Sequence, residues 1–205
     1  MTEPADTRLA ASLIGALLSP RATFAGLARE PSARPVASAF ALLALFWSVL
    51  LVWLWSAGHA PAFVLLPIPA DLYYLAQALL MLPVLTGLWW VHAELSHRIA
   101  AKAGGEGDEP GVRAALGFAY AAPMIVHVLA ELAAYLAGGI EALRVVARIS
   151  LPAASLWVWV LSALALRVAH RVSWPVSVGA AFAGLLVQAL LGGLRVKHAP
   201  LRASA

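Results

Sequence analysis

The hydrophobic positions of this chain fall into five long stretches, separated by shorter segments that carry the charged residues and many of the prolines. An α-helix rises about 1.5 Å per residue, so about 20 apolar residues span the ~30 Å hydrocarbon core of a bilayer. The pattern predicts an all-α fold, a polytopic membrane helical bundle of about five transmembrane helices. The predicted spans are residues 36–57, 72–93, 114–137, 149–166 and 175–194.

Two shorter amphipathic patterns predict helices that lie at the membrane surface. In the segment 9–18, one helix face is formed by Leu9, Leu13, Ile14, Leu17 and Leu18. In the segment 140–150, the charged residues Glu141, Arg144 and Arg148 lie on one face of the predicted helix. The basic stretch up to residue 35 is interpreted as a lead-in anchored beside the first span, with a partner-binding arm as the alternative. The predicted parts are therefore a cytosolic amphipathic and basic lead-in (1–35), a transmembrane domain (36–194) and a short basic tail (195–205).

Composition supports a membrane protein. Of 205 residues, 62% are hydrophobic and only 12% are charged, whereas a soluble domain has about 25% charged residues. The mean hydropathy is +0.86. The basic residues lie between the apolar spans, so the net charge of +4 indicates membrane orientation and not a nucleic-acid partner. The absence of cysteine excludes disulfides, thiol catalysis and cysteine-ligated metals. The expected partner is the lipid bilayer, and no cofactor is expected.

The distribution of lysine and arginine predicts the orientation of the chain. If the N-terminus is cytosolic, the cytosolic segments hold nine of these residues and the outer segments hold five. This excess favours a cytosolic N-terminus and an external C-terminus. The basic tail at 195–205 is the segment that fits this orientation least well.

The third predicted span carries a polar stripe. Its members, spaced at helical intervals along one face, are Tyr120, His127, Glu131 and Tyr135. Polar groups inside a membrane are costly and usually face protein or water. One hypothesis is a proton or cation step, or a contact with a polar substrate. The alternative is a polar pair between packed helices, which Arg144 or Arg148 could join if the chain folds back.

Small residues predict where helices approach one another closely. On the third span they are Ala130, Ala134 and Gly138, and on the fifth span Gly179 and Gly184 each have an alanine four residues away. Gln188 is the strongly polar residue of the fifth span and a candidate partner for the third. Pro123 is expected to loosen the third span near its entry.

The residues around HAELSHR resemble a metal site only superficially. His92 and His97 are five positions apart, whereas paired ligands on a helix are usually three or four apart. Glu94 and Arg98 are better explained as an ion pair on a helix surface. The spans contain no Ser/His/Asp set, no paired aspartates and no HExxH motif, so an enzyme is not expected.

The segment WWVHAELSHRIAAKAGGEGDEPGVRAALGFAYAAPMIV resembles the Yip1 domain family. Members have a Gly-Gly-x-Gly loop and then a helix that enters an Ala-Tyr-x-x-x-Pro motif or a close variant. SPRATFAGLAREP is similar to the family's lead-in, a proline and then a phenylalanine before the first span. The residues that carry the resemblance are Gly104, Gly105, Gly107, Ala119, Tyr120, Ala122 and Pro123.

The resemblance implies five spans and a cytosolic N-terminus. Eukaryotic members are associated with membrane trafficking and small GTPases. Those members have a long acidic cytosolic N-terminal region, which this sequence does not show. The compact bacterial-type members, which it resembles more, have no settled biochemical role. We therefore expect a multi-pass protein of the bacterial inner membrane.

Two classes of function remain after this comparison. The first is a non-enzymatic membrane organiser or scaffold for a membrane-protein partner or a homo-oligomer. The alternative is a small permease or channel component that uses His127 and Glu131.

Overall fold

Six helices make up the fold within residues 5–61 and 68–193, which this computed structural model describes. No strand occurs in these two ranges, and the prediction of an all-α helical bundle is confirmed. The predicted tail and part of the proline-rich link after the first span lie outside the described residues. The helices are α1 (Ala5–Leu18), α2 (Pro20–Arg29), α3 (Ala33–Ser56), α4 (Tyr73–Lys102), α5 (Glu109–His170) and α6 (Trp174–Gly193).

The helices α3 to α6 are long and apolar enough to cross a membrane. Helix α5 has 62 residues, which corresponds to about 93 Å and is three times the bilayer core. It is broken at Gly138 and Gly139, and Gly139 has φ +63° and ψ −153°, a conformation that essentially only glycine adopts. We call the two halves α5a (residues 109–137) and α5b (residues 140–170).

The two halves of α5 fold back on each other. Nδ1 of His127 in α5a lies 3.0 Å from Oγ of Ser150 in α5b. These residues lie at about equal distances along the chain from the glycine break, as expected for an antiparallel hairpin. The bundle therefore contains five segments of membrane-spanning length.

Residues 94–113, the polar segment between the second and third predicted spans, are mostly helical, since residues 94–102 belong to α4 and residues 109–113 to α5. Only residues 103–108 connect α4 to α5. Nε of Arg98 donates to Glu94 at 2.5 Å, which confirms the ion pair expected there. Charged residues four positions apart support a helix outside the apolar core, so the end of apolar character did not mark the end of α4.

The predicted surface helix at 140–150 is also corrected. It is not a separate element, because one continuous helix runs through it and through the predicted fourth span. The charged residues occupy the first turns of α5b. Arg144 binds Glu141 at 2.6 Å, so the expected contact of Arg144 with Glu131 does not form.

The lead-in helices pack against one end of the bundle. The helix predicted to lie at the membrane surface is present as α1, but its Leu9, Leu13 and Leu17 contact the hydrophobic core. Ile14 and Leu18 of the same predicted face remain exposed, because the contact covers only the narrower stripe at every fourth position. The lead-in is therefore part of the folded structure.

Helix α5a occupies the centre of the bundle. Every residue from 111 to 125 is buried except Arg113, which is partly exposed. A Cβ atom at Gly117 would lie 2.7 Å from Cγ1 of Val36 on α3, so the absence of a side chain permits close approach. The polar residues of α5a consequently face other helices of the same chain.

Candidate functional site

The side chain of His127 lies at the junction of α3 and the α5 hairpin. Its Nδ1 is 3.0 Å from Oγ of Ser150, and its Nε2 is 3.5 Å from Oε1 of Glu131. The ring of Trp47 on α3 meets the imidazole edge-on, with the ring centres 5.7 Å apart. Both ring nitrogens of His127 therefore have a polar neighbour inside the bundle.

Glu131 is buried one helical turn further along, with 7% of its surface exposed. Beyond it, Tyr135 is half-buried and its ring stacks on Trp53 with centres 6.3 Å apart. The ring of His59 meets the ring of Tyr135 edge-on, with the ring centres 6.1 Å apart. A line of polar and aromatic side chains thus runs from His127 towards the end of the bundle that carries the glycine break.

Tyr120, the fourth member of the predicted stripe, is not part of this line of side chains. Its hydroxyl accepts a hydrogen bond of 2.8 Å from Nε2 of Gln188 on α6. The expected contact between Gln188 and the third span is therefore present. Phe40 of α3 stacks on the ring of Tyr120 with the ring centres 5.9 Å apart, so Tyr120 is enclosed by packed side chains.

A second group of polar side chains lies where helices α4, α5b and α6 meet. It was not predicted from the sequence. Nε2 of His92 lies 3.1 Å from Oγ of Ser162. Oγ of Ser96 donates to the carbonyl of Ala180 at 3.1 Å. The partners are 70 and 84 residues apart in the chain, so spacing along one helix could not have found them.

A pair of histidines joins the ends of α4 and α5b. Nδ1 of His97 lies 3.0 Å from Nε2 of His170. The amide of Gly107 donates to Nδ1 of His170 at 3.1 Å, so that nitrogen is an acceptor. A neutral His170 therefore carries its proton on Nε2 and donates it to His97.

At each of the three glycines of the Gly-Gly-x-Gly loop, the backbone conformation or a close neighbour disfavours a side chain. Gly104 has φ +89°, which favours glycine. A Cβ at Gly105 would lie 2.5 Å from Nδ1 of His170, and one at Gly107 would lie 2.7 Å from the carbonyl oxygen of Ala169. The loop is therefore shaped to fit against the end of α5b.

Only some of the small residues that were predicted to pack closely do so. Gly184 is a close-packing position, since a Cβ there would lie 2.8 Å from the carbonyl oxygen of His92. Gly179 is exposed and a Cβ there would have nothing within 4 Å, so no described helix of this chain packs against it. Ala130 and Gly138 are also exposed, because that stripe faces away from the other helices and ends in the α5 break.

The two remaining packing predictions concern α5a itself. Ala134 is only half-buried, whereas Pro123 is buried. The helix continues through Pro123, since its non-helical backbone angles occur at the glycine break instead. The proline therefore does not interrupt the span.

The residues considered and rejected as metal ligands have other partners. His92 contacts Ser162 and His97 contacts His170. Glu94 binds Arg98 at 2.5 Å and Arg113 at 2.6 Å. In the described parts of the chain, no group of three His, Asp or Glu side chains is placed to hold a metal ion.

Comparisons of the chain with protein-family models, with curated proteins and with solved structures find no match. The Yip1 resemblance accordingly stays a prediction from the sequence.

Proposed function

We propose that this protein is a non-enzymatic membrane organiser, a helical scaffold for a membrane-protein partner or for further copies of itself. The observation that carries this proposal is that several buried and half-buried polar side chains pair across helix boundaries. His127 with Ser150 and Gln188 with Tyr120 are two such pairs. Hydrogen bonds of this kind hold membrane helices together, and a transport pathway would need polar groups that water or a solute can reach.

The resemblance to the Yip1 domain family agrees with a membrane bundle but assigns no activity, since the bacterial-type members have no settled biochemical role. The family's loop motif corresponds to residues that make tight backbone contacts here, with Gly107 against His170. We therefore propose membership of the compact bacterial-type group. A location in the bacterial inner membrane, with the N-terminus in the cytoplasm and the C-terminus outside, is part of the same proposal.

Cysteine accessibility tests the scaffold role, because the chain contains no cysteine of its own. Ser150→Cys replaces the partner of His127 with a side chain of similar size. Ser155→Cys is the matched control, since Ser155 is exposed on the same helix. We expect neither variant to react with a membrane-impermeant maleimide in sealed vesicles. Labelling of residue 150 but not of residue 155 would contradict the scaffold proposal.

The alternative is a small permease or channel component. It is favoured by the placement of Glu131 beside His127, at 3.5 Å, with Tyr135 and His59 further along. An acid next to a base inside a membrane can take part in proton transfer. Water access to position 150 would make this the preferred function.

A further inference from the structure

A groove opens on the outer surface of the bundle between α3 and α4. Its volume is about 910 Å³, within the range of about 300–1,000 Å³ found for small-molecule sites. Val36, Phe40 and Ala114 are buried in its wall, and its rim is exposed. We propose that this groove binds one acyl chain of a membrane phospholipid, with the phosphate group at Arg113 and the start of α3.

The groove exists because one side of α3 carries only small residues. Ala33, Ala37, Ser38 and Ala41 line it, and Leu82 and Thr86 of α4 form the facing side. The lining positions of α3 extend over about 12 Å of helix axis. This is less than half of the ~30 Å hydrocarbon core, so the groove lies within one leaflet.

The dimensions favour a lipid chain over a partner helix. An α-helix with side chains is about 10–12 Å wide, and a partner that crosses the membrane would need a groove along the whole bundle. The rim residues Ala37, Ala41 and Leu82 are exposed and apolar or small. In a bilayer, the opening therefore faces the acyl chains of the surrounding lipids.

One end of the groove is polar. Arg113 lines it with 30% of its side chain exposed. The ion pairs of Arg113 with Glu94 and Glu109 both use Nη2 and leave Nη1 without an ion-pair partner among the described residues, while its Nε is buried without a hydrogen-bond partner there. Arginine has five N–H donors and favours phosphate oxygens, so donors remain for a headgroup.

The start of α3 adds to this polar end. Ser32 precedes the helix and lines the groove, and its side chain does not cap the helix. The first amide N–H groups of a helix favour a negative charge. Together with Arg113, they place the anion-binding groups at one end and the apolar wall at the other, which matches a phospholipid.

Trp89 provides a further donor beside the groove. Its indole Nε1 is buried without a hydrogen-bond partner among the described residues. The atom is covered by the protein, so a lipid oxygen reaches it only if the ring rotates. This binding site does not depend on the scaffold function proposed above, since a permease could hold the same lipid.

The test uses the full chain in nanodiscs made of phosphatidylcholine and phosphatidylglycerol. The probe is phosphatidylglycerol with a photoactivatable diazirine in one acyl chain, and peptide mass spectrometry locates its adducts. We expect the adducts to concentrate on residues 33–41 and 82–89. A diacylglycerol with the same labelled chain lacks the phosphate, and we expect its adduct yield there to be about tenfold lower, equivalent to ~1.4 kcal/mol.

A substitution that fills the groove is compared with the same substitution at a position outside the groove. Ala41→Phe places a large side chain on the rim, and Ala130→Phe places the same side chain at an exposed position of α5a. We expect Ala41→Phe to reduce the adduct yield about tenfold and Ala130→Phe to leave it unchanged. Ala37→Leu, a smaller filling substitution, serves as the second variant if thermal unfolding shows that Ala41→Phe is not folded.

Three results would overturn the proposal. The first is an equal spread of adducts over all lipid-facing helices, which indicates ordinary surrounding lipid. The second is equal adduct yields from the phospholipid and diacylglycerol probes, or adducts that filling does not change. The third is efficient cross-linking of two Ser38→Cys chains by a short bis-maleimide, because the occupant would then be a second copy.

Discussion

Tyr120 and Gln188 illustrate how a polar residue in an apolar helix acts as a packing residue. The hydrogen bond between them joins α5a to α6 at 2.8 Å. Oε1 of Gln188 is buried without a partner within the described residues, so this amide is only partly satisfied. A buried polar group left without its partner costs about 1–3 kcal/mol, and the pair is therefore sensitive to loss of either member.

A double-mutant cycle measures this contact. Tyr120→Phe removes the acceptor and leaves the amide of Gln188 unpaired, so we expect a loss of about 1–3 kcal/mol in stability. Gln188→Leu removes the amide and is expected to cost less. The double variant should be more stable than the sum of the single effects predicts. Unfolding in detergent micelles gives the free energies, and strict additivity would show that the two residues are not coupled.

At the scale of the single residue, sequence periodicity located side chains on a helix face but not their partners. It placed His127 beside Glu131, four positions away, and this pair is present. It could not find Ser150 for His127 or Ser162 for His92. Those contacts depend on how separate helices meet, which no spacing within one helix encodes.

At the scale of the helix, glycine has two different effects in this protein. Gly139 breaks α5 because its backbone angles are accessible essentially only to glycine. Gly184 leaves α6 straight and lets α4 approach, because a Cβ would lie 2.6 Å from Nδ1 of His92. Gly179 is in the same helix and has open space around it. The small-xxx-small spacing predicted both α6 positions equally, and only the rotation of the helix distinguishes them.

The two α6 glycines form a matched pair for mutation. Gly184→Ala forces α4 and α6 apart and is expected to destabilise the protein by about 1–3 kcal/mol. Gly179→Ala meets no neighbouring atom and should be neutral, or stabilising by up to ~1 kcal/mol through helix propensity. Thermal unfolding in one detergent compares them. Equal melting temperatures for the two variants would show that α6 does not pack on α4 through Gly184.

At the scale of the whole molecule, the α5 hairpin sets the number of segments that are long enough to cross a membrane. Without the break at Gly138 and Gly139, α5 would be too long for a bilayer. With it, successive segments alternate in direction, and the loops at 103–108 and 171–173 lie at the same end. Glu106 shows this directly, because its amide donates to the carbonyl of His170 at 3.1 Å.

Side-specific labelling checks this arrangement. We expect Ala103→Cys and Ser173→Cys to react with an impermeant maleimide from one side of the membrane. Ala57→Cys and Ala137→Cys should react only from the opposite side. All four positions are exposed and lie outside or at the ends of the helices. Labelling of residue 137 from the same side as residue 173 would show that α5 does not cross twice.

The pattern of apolar residues is sufficient to predict the class of fold and the approximate position of each long helix. This follows because a bilayer demands about 20 apolar residues with internally satisfied backbone hydrogen bonds, a local property of the chain. The polar ends of α4 and α5b were misassigned, because charged residues continue a helix as readily as apolar ones do. Sequence could not measure how far each helix extends beyond the membrane.

The packing of the helices determines which polar residues meet, which small residues are in close contact and where the groove lies. The rotation of each helix about its axis places Gly184 against α4 and leaves Gly179 exposed. It also leaves the alanines of α3 facing an unfilled space beside Leu82. Such rotations result from the packing of all helices together, so residues far apart in the chain determine them jointly.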